Sequence, residues 1–318
     1  MVVIRTAALS IDNCNEIVRL WNRNFGEQYR ITENMFMERV FKDKDFFPGG
    51  SFLLFLAGEL KGFIISKINS NGLPGYEDCA WISCMVTDSS MQGKGYGKAL
   101  YQMAEAALLK TGIKKIILGG ECCNFFSGIP QPTAHSIGLF EKQGYTVNRE
   151  EYEHYGLMAD VSAIDFDIYN TAVNCDARYY SKALEGSETQ QLDGFFKECF
   201  PGRWDFEVMG FLKHGGAPEN VIVLMQEDEI VGFSKIDISG SEDDLLIYGP
   251  SRGSLGPIGV SEAVRGKGLG KKILLDSLKI LKQRGARNVI IDWTVLKDFY
   301  GQFGFKPWRT YRGAYKQF

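Results

Sequence analysis

The chain has 318 residues, of which 45% are hydrophobic and 24% charged, and its formal net charge is −3 at pH 7. At about 150 residues per domain, this length predicts two globular domains. The even mixture of charges excludes the electrostatic pattern of a nucleic-acid-binding protein. Seven cysteines without a C-x-x-C pair argue against a metal site. Since no signal peptide or membrane-length apolar stretch is found, we expect a soluble, cytoplasmic protein with no membrane contact.

The first half of the sequence predicts a helix, a β-hairpin, a glycine-rich loop, an amphipathic helix and a strand, in this order. In turn, these are Asn13–Phe25, Ser51–Leu56 with Lys61–Ile68, residues 92–98, Tyr96–Lys110 and Lys115–Leu118. The amphipathic helix is followed by Gly112, which is typical of a helix C-terminus.

The second half repeats this order of elements. The corresponding segments are Ser187–Cys199, Val221–Met225 with Ile230–Ile238, residues 265–271, Leu269–Arg284 and Asn288–Asp292. Here Gly285 follows the amphipathic helix. The sequence therefore predicts a tandem repeat, with domains at residues 1–169 and 170–318 and a linker at residues 170–176.

Two motifs define the repeat. Gln92 and Arg265, 173 residues apart, each start a G-K-G-x-G-K stretch that follows a valine, Val86 or Val260. Further on, an aromatic residue and a glycine recur in F-E-K-Q-G and Y-G-Q-F-G, with an offset of 160 residues. The first half therefore has about 13 additional residues, which we place within Glu121–Thr133.

The glycine cluster suits a bound pyrophosphate. Glycines permit positive φ angles and a close approach of the backbone, and the first amides of the next helix have no internal partners. Those amides and the helix dipole form an anion site. The spacing does not fit a P-loop, because Lys272 stands where the magnesium-binding hydroxyl is required. G-x-G-x-G also differs from the dinucleotide motif G-x-G-x-x-G.

Both loops match [QR]-x-x-G-x-[GA], and in this the two halves resemble the acetyl-CoA-dependent N-acetyltransferase (GNAT) superfamily over nearly the whole chain. The resemblance implies an α/β (α+β) fold in which each domain has a mixed, mostly antiparallel sheet with splayed fourth and fifth strands. It also implies acetyl-CoA as co-substrate and no metal. The residues that it implies for cofactor binding in the second half are Ile258, Val260, Arg265, Gly266, Lys267, Gly268, Gly270 and Lys271. Their counterparts in the first half are Val86, Gln92, Gly93, Gly95, Gly97 and Lys98.

The resemblance assigns the chemistry to the second half. The family's proton donor is often the tyrosine of an F-Y-x-x-x-G-F stretch, which Tyr300 matches, whereas the first half has Phe140 at that position. A carboxylate at the end of a strand, Asp292, is a candidate to accept the amine proton or bind substrate, or alternatively to cap the next segment. The acidic residues 242–244 are expected in a solvated turn, or alternatively to attract a cationic amine.

The acceptor is expected to be a primary amine of a small molecule. Phe200-Pro-Gly-Arg-Trp and Phe125-Phe-Ser-Gly-Ile-Pro are similar to segments of bacterial glucosamine and glucosaminide N-acetyltransferases, which favours an amino sugar. Trp204, Phe206 and Trp293 are candidates to stack on a sugar ring or to lie in the core. Mycothiol synthase and protein N-acetyltransferases remain alternatives, and so does a non-catalytic acyl-CoA sensor. The sequence indicates no oligomeric state.

Overall fold

The computed structural model describes residues 4–149, 153–167, 177–238 and 241–318. These residues form two compact units, one from Met1–Tyr155 with Arg309–Phe318 (unit 1) and one from Gly156–Trp308 (unit 2). The predicted domain boundary after residue 169 and the predicted linker lie outside the described residues, so that boundary stays a prediction.

Unit 1 contains a seven-stranded mixed sheet with helices on its faces. Its helices are α1 (Cys14–Phe25), α2 (Glu33–Phe36), which continues into a π-helical turn (Met37–Phe41), α3 (Tyr96–Leu109) and α4 (Ile137–Lys142). Its strands are β1 (Ile4–Ala8), β2 (Phe52–Leu56), β3 (Glu59–Ile68), β4 (Cys79–Thr87), β5 (Lys115–Leu118), β6 (Ile129–Pro130), β7 (Thr146–Val147) and β15 (Ala314–Gln317). The sheet order is β1-β2-β3-β4-β5-β15-β7, and the two-residue strand β6 pairs instead with Tyr311 and Arg312.

Unit 2 repeats this architecture. Its strands are β8 (His154–Asp160), β9 (Tyr179–Ala183), β10 (Val221–Gln226), β11 (Glu229–Asp237), β12 (Arg252–Val260), β13 (Asn288–Thr294) and β14 (Lys306–Arg312). Its helices are α5 (Thr189–Cys199), α6 (Arg203–Lys213), α7 (Glu242–Tyr248), α8 (Leu269–Gln283) and α9 (Lys297–Gly301). The strands follow each other in the sheet as β14-β8-β13-β12-β11-β10-β9.

The two sheets exchange strands. The C-terminal strand β15 lies between β5 and β7 in the sheet of unit 1, and β8, from the first half of the chain, lies between β13 and β14. Both β8 and β14 run across the points where the chain passes from one unit to the other. Each sheet is therefore completed by a strand from the opposite half of the sequence.

Local sequence accounts for most of the elements. In α8, Leu269, Ile273, Leu274, Leu278 and Leu281 are buried at helical spacing. The helix ends before Gly285, whose φ of 95° is readily adopted by glycine alone. In the hairpin β2–β3, Gly58 has a φ of 85° and closes the turn.

The predicted fold class and the two tandem units are confirmed, and the predicted helices and strands are found within about two residues of their expected ends. One expectation is wrong: the acidic residues 242–244 form the first turn of helix α7, with the Ser241 side chain accepting from the Asp244 amide, rather than a turn. Acidic residues suit that position because of the helix dipole. No helix among the described residues has the length and apolarity to cross a membrane.

Candidate active site

The central strands of unit 2 separate halfway along their length. The parallel ladder joins Arg252–Ser254 to Asn288–Ile290, and both strands then continue unpaired with each other to Val260 and Thr294. Between Leu255 and Ile258, β12 contains one residue more than the facing part of β11. This bulge bends β12, and a gap opens between the ends of the two strands.

Two backbone amides of β12 point into this gap. The amide of Ser261 donates to the carbonyl of Val231 at 2.8 Å, so this pair is hydrogen-bonded across the antiparallel ladder. Along an antiparallel ladder, hydrogen-bonded pairs alternate with pairs that are not hydrogen-bonded. The amides of Val260 and Ile258 therefore point away from β11. Both therefore face the gap where a ligand carbonyl could accept.

The glycine-rich loop leads from β12 into α8. Gly266 and Gly268 have φ angles of 80° and 78°, and Gly268 caps the helix. A Cβ on Gly270 would have no neighbour within 4 Å, so the surface over the first helical turn is open. The first amides of α8 lie there with the positive end of the dipole, which fits a bound pyrophosphate.

The three cations of this loop have partners within unit 2. Arg265 forms an ion pair with Glu262 at 2.8 Å, and the Lys267 ammonium lies 3.4 Å from the hydroxyl of Tyr179. Lys271 donates to Gln302 at 2.9 Å, a residue that follows helix α9 directly. Lys271 thus connects the glycine-rich loop to the end of the helix that carries Tyr300.

Tyr300 lies in α9 with its ring 5% exposed, in edge contact with Phe299 and Phe305. Among the described residues, its hydroxyl has no hydrogen-bond partner. Burial raises the pKa of Tyr300 to about 12. The hydroxyl therefore keeps its proton at neutral pH.

Asp292 lies beyond the paired part of β13 and is exposed. Strand alternation places it on the same face as Ile290, whose ladder partner is Ser254. This is the face opposite to Val289, which packs near Leu281 of α8. Asp292 is thus expected across the sheet from α8.

Trp204 and Trp293, two of the aromatic residues that the sequence analysis named, lie at the mouth of the gap, where Arg203 joins them as a residue that it did not predict. A Cβ on Gly259 would come within 3.1 Å of the rings of Phe200 and Trp204, so the start of α6 packs directly on β12. From the same helix, the Arg203 guanidinium lies 4.4 Å from the ring centre of Trp293, which follows Asp292 in β13. The Arg203–Glu207 spacing of four residues is the only sequence signal for this contact, and it requires helix α6 to be known.

Unit 1 retains a similar loop. Gly93 and Gly95 have φ angles of 73° and 86°, and a Cβ on Gly97 would lie 3.2 Å from the Thr87 hydroxyl. The side chains of Gln92 and Lys94 donate to backbone carbonyls of Thr87 and Ser90. Lys98 lies in the first turn of α3.

The register of unit 1 places Thr87 opposite Gly62, as Val260 lies opposite Gly232. The amide of Asp88 donates to Lys61, so the Thr87 amide points away from β3. Val86, the residue expected from the sequence, is one position earlier and its amide points towards β3.

The positions of Tyr300 and Asp292 carry other residues in unit 1. Phe140 lies where unit 2 has Tyr300, and it packs edge-on against Tyr101 and Tyr145. Asp292 lies four residues after Asn288, the first residue of β13 in the parallel ladder. Gly119 lies four residues after Lys115, the first residue of β5 in the ladder of unit 1, so the two positions correspond. A Cβ on Gly119 would lie 2.3 Å from the Phe126 carbonyl oxygen, and φ is 66°, so this position excludes a carboxylate side chain.

The inserted residues after β5 explain this exclusion. The amide of Gly120 donates to Phe126, so the chain folds back over the end of β5. Phe125 and Phe126 lie buried 4.8 and 5.1 Å from the ring of Trp21 on α1. In unit 1, side chains of the protein itself thus fill the space next to the end of β5.

A cavity of about 680 Å³ lies elsewhere in unit 2. Its lining includes Asn288, Met158 and Trp308, at the beginning of β13 rather than its end. Six residues of strand span about 20 Å, so this cavity is separate from the gap. Within the described ranges, no cluster of three or more His, Cys, Asp or Glu residues could hold a metal ion.

Two sheets that each open beside a glycine-capped helix define an acetyltransferase fold. Residues 15–145 and 189–305 match the family described as "Acetyltransferase (GNAT) family", and the chain belongs to this family. No curated protein sequence matches the chain.

Solved structures show the same fold over both units. One is a GCN5-related glucosamine N-acetyltransferase region of a fungal multi-domain GH3 β-N-acetylglucosaminidase, with TM-score 0.86 and 22% identity over 99% of this chain; the chain spans 38% of that protein. A GCN5-related N-acetyltransferase from Sphaerobacter thermophilus has TM-score 0.74 and 15% identity, with 99% and 95% of the two chains covered. A tandem GNAT protein from the clavulanic acid biosynthesis pathway has TM-score 0.64 and 12% identity, with 99% and 98% covered.

Proposed function

We propose that the chain is an acetyl-CoA-dependent N-acetyltransferase in which unit 2 transfers an acetyl group to a primary amine of a small molecule. The observation that carries this proposal is the difference between the units. Unit 2 has a hydroxyl and a carboxylate at Tyr300 and Asp292, where unit 1 has Phe140 and Gly119.

The donor would be held by backbone rather than by side chains. The amides at the start of α8 would bind the pyrophosphate, and Gly266 and Gly268 allow its close approach. Acetyl-CoA supplies the activated acyl group as a thioester. The Val260 amide would donate to the thioester carbonyl and stabilise the negative charge that develops on its oxygen.

Two side chains would move protons. The attacking amine must lose a proton, which the exposed carboxylate of Asp292 would accept directly or through water. The leaving thiolate would take a proton from the hydroxyl of Tyr300, whose pKa of about 12 keeps it protonated. The two groups come from β13 and α9, which follow each other in the chain.

We propose an amino sugar as acceptor. Trp204 and Trp293 are 37% and 38% exposed at the mouth of the gap, and aromatic rings of this kind can pack against the apolar face of a sugar. The fungal relative is a glucosamine N-acetyltransferase region. Because acetyl-CoA is the proposed donor, we further propose a cytoplasmic location.

The test is acetyl transfer by the purified chain. With acetyl-CoA and a panel of amines that includes glucosamine, a cysteinyl sugar and a lysine peptide, we expect acetylated glucosamine by mass spectrometry. Tyr300→Phe should lower kcat on the order of 100-fold and leave the KM for acetyl-CoA within about twofold, because only proton donation is lost.

Tyr145→Phe is the matched control, since it removes a buried tyrosine hydroxyl from unit 1 and should leave kcat unchanged. Tight binding of acetyl-CoA without turnover of any amine would contradict the enzyme proposal and favour a sensor. Unchanged turnover in Tyr300→Phe would remove Tyr300 from its role.

A further inference from the structure

The two central strands of unit 1 stay together further than those of unit 2. In unit 2 the parallel ladder ends with the pair Ser254–Ile290. In unit 1 the ladder begins at the equivalent residues and continues by one more pair, Ile82–Leu118. The amide of Gly119 then also donates to the carbonyl of Ile82 at 3.0 Å. The gap between the strands therefore starts later in unit 1.

Beyond this ladder, residues 119–126, here named the closing segment, contact both neighbouring strands. The side chain of Glu121 is 1% exposed, accepts from the Ser83 hydroxyl of β4 and forms an ion pair with Lys67 of β3 at 3.3 Å. Lys67 in turn donates to the carbonyl of Cys123 at 2.8 Å. Ser83 is the first residue of β4 beyond the ladder, so the closing segment contacts β4 at the point where the gap would open.

The equivalent place in unit 2 is different. Ser83 corresponds to Gly256, since each lies four residues after the first ladder residue of its strand. A Cβ on Gly256 would have no neighbour within 4 Å. The counterpart of Glu121 is Thr294, whose hydroxyl accepts from the nearby amide of Leu296. The contact that closes the gap in unit 1 therefore has no counterpart in the described part of unit 2.

The first turn of α3 is also covered in unit 1. A Cβ on Gly97 would lie 3.2 Å from the Thr87 hydroxyl, 3.9 Å from the Met85 side chain and 4.0 Å from that of Leu139. A Cβ on Gly270, the equivalent glycine of unit 2, would have no neighbour within 4 Å. An acyl-CoA arm running from a pyrophosphate at this turn into the gap would therefore meet side chains in unit 1.

The closing segment cannot move aside without a large loss of stability. Its movement would separate Lys67 from Glu121, and a buried charge that loses its partner is strongly destabilising. It would also remove Phe125 and Phe126 from the Trp21 ring, whose centre lies 4.8 and 5.1 Å from theirs. Both phenylalanines are buried, so apolar surface would be exposed to water.

We infer that the chain binds one acetyl-CoA, in unit 2, because the closing segment occupies the place of the acyl-CoA arm in unit 1. This inference rests on the proposed function and adds to it the number and the position of the donor sites. Unit 1 keeps the glycine-rich loop, but the path from this loop into its sheet is filled by its own side chains.

The test counts acetyl-CoA on the full-length chain. Native mass spectrometry and calorimetric titration should both give one molecule per chain. With acetyl-CoA bound, the amides of Leu269–Ile273 at the start of α8 should exchange hydrogen about tenfold more slowly, and those of Tyr96–Leu100 at the start of α3 should be unchanged. Two molecules per chain, or slower exchange in Tyr96–Leu100, overturns the inference while transfer by unit 2 stands.

A matched pair of variants separates the two loops. Gly268 and Gly95 cap α8 and α3 with φ angles of 78° and 86°, so alanine strains both loops alike. Gly268→Ala should leave no acetyl-CoA bound with the wild-type affinity, whereas Gly95→Ala should bind one molecule with an unchanged dissociation constant. One molecule still bound with wild-type affinity in Gly268→Ala, or weaker binding in Gly95→Ala, overturns the inference. If the wild type binds no acetyl-CoA, the proposed function is overturned as well.

Discussion

Tyr300 differs from a solvent-exposed tyrosine in the burial of its ring, which raises the pKa of its hydroxyl to about 12. A raised pKa extends the pH range over which the acid form is present. We therefore predict that kcat of the wild type shows no alkaline decline up to about pH 10, since the proposed acid stays protonated there. The measurement is the pH dependence of kcat at saturating substrates. A decline with a midpoint near pH 9 that is absent in Tyr300→Phe would contradict this assignment.

Lys67 in unit 1 is fully buried, 2.9 Å from Asp43 and 3.3 Å from Glu121, and it donates to the carbonyl of Cys123 at 2.8 Å. Burial alone would lower its pKa, but the carboxylates of Glu121 and Asp43 outweigh this effect and the net shift is upward. Since Glu121 and Cys123 belong to the segment that folds over β5, Lys67 anchors that segment.

We predict that Lys67→Met lowers the free energy of unfolding by about 3–5 kcal/mol, because it leaves buried carboxylates without a counter-charge. The folded pKa is raised, so the stabilisation is fully present below the unfolded lysine pKa of about 10.4 and is lost only as the pH rises through the folded value. Urea unfolding at neutral pH measures the difference. Lys61→Met is the control, because its partner Glu59 is 74% exposed, and it should cost less than about 1 kcal/mol. Equal losses in the two variants would argue against the anchoring role.

Helix α8 has left-handed glycines at both ends, Gly268 before its first residue and Gly285 after its last, with φ angles of 78° and 95°. A Cβ on Gly285 would have no neighbour within 4 Å. Substitution therefore introduces the same backbone strain at both ends, while only the first end belongs to the proposed phosphate site.

We predict that Gly268→Ala raises the dissociation constant of acetyl-CoA at least tenfold, because the amides of the first turn move when the loop relaxes. Gly285→Ala should destabilise the protein by a similar amount, about 1–2 kcal/mol, and leave the affinity unchanged. Calorimetric titration with acetyl-CoA and thermal unfolding of both variants separate the two effects. If Gly285→Ala also weakens acetyl-CoA binding, the lower affinity of Gly268→Ala is an effect of general backbone strain and not of the proposed phosphate site.

Because of the strand exchange, the sheet of unit 1 contains strands from both ends of the sequence. In unit 1, β15 pairs with β5 from Gln317–Lys115 to Tyr315–Ile117, and Lys316 forms an ion pair with Glu105 at 2.5 Å. The far end of the sequence thus stabilises the sheet of the first half.

We predict that a chain ending at Arg312 loses about 3–5 kcal/mol of unfolding free energy, because β5 loses the hydrogen bonds of its antiparallel neighbour. Amide exchange should increase first in Lys115–Leu118, which mass spectrometry can localise. A chain ending at Gln317 keeps the ladder and lacks the bond from the Phe318 amide to Lys114 and the contact of the Phe318 ring with the Lys316 ammonium, so it should lose about 1 kcal/mol. If both truncations behave alike, β15 contributes no stability through its pairing.

The sequence alone determined the features that depend on local periodicity and on glycine. The helices α1, α3, α5 and α8, the hairpins, the two loops and the difference between Tyr300 and Phe140 follow from spacing within about 20 residues. Helical and strand periods, and positive φ angles, are properties of short segments. The family and the tandem architecture could therefore be predicted.

Only the tertiary structure decided which strands pair and which side chains meet. The placement of β15 and β8, the register that puts Thr87 rather than Val86 opposite Gly62, and the steric exclusion at Gly119 depend on contacts between distant segments. The same holds for Lys67 with Glu121 and for Arg203 on Trp293. These contacts stabilise the fold, but they join residues that are far apart in the sequence. No local sequence pattern predicts them, because only the folded backbone brings the residues within a few ångströms of each other.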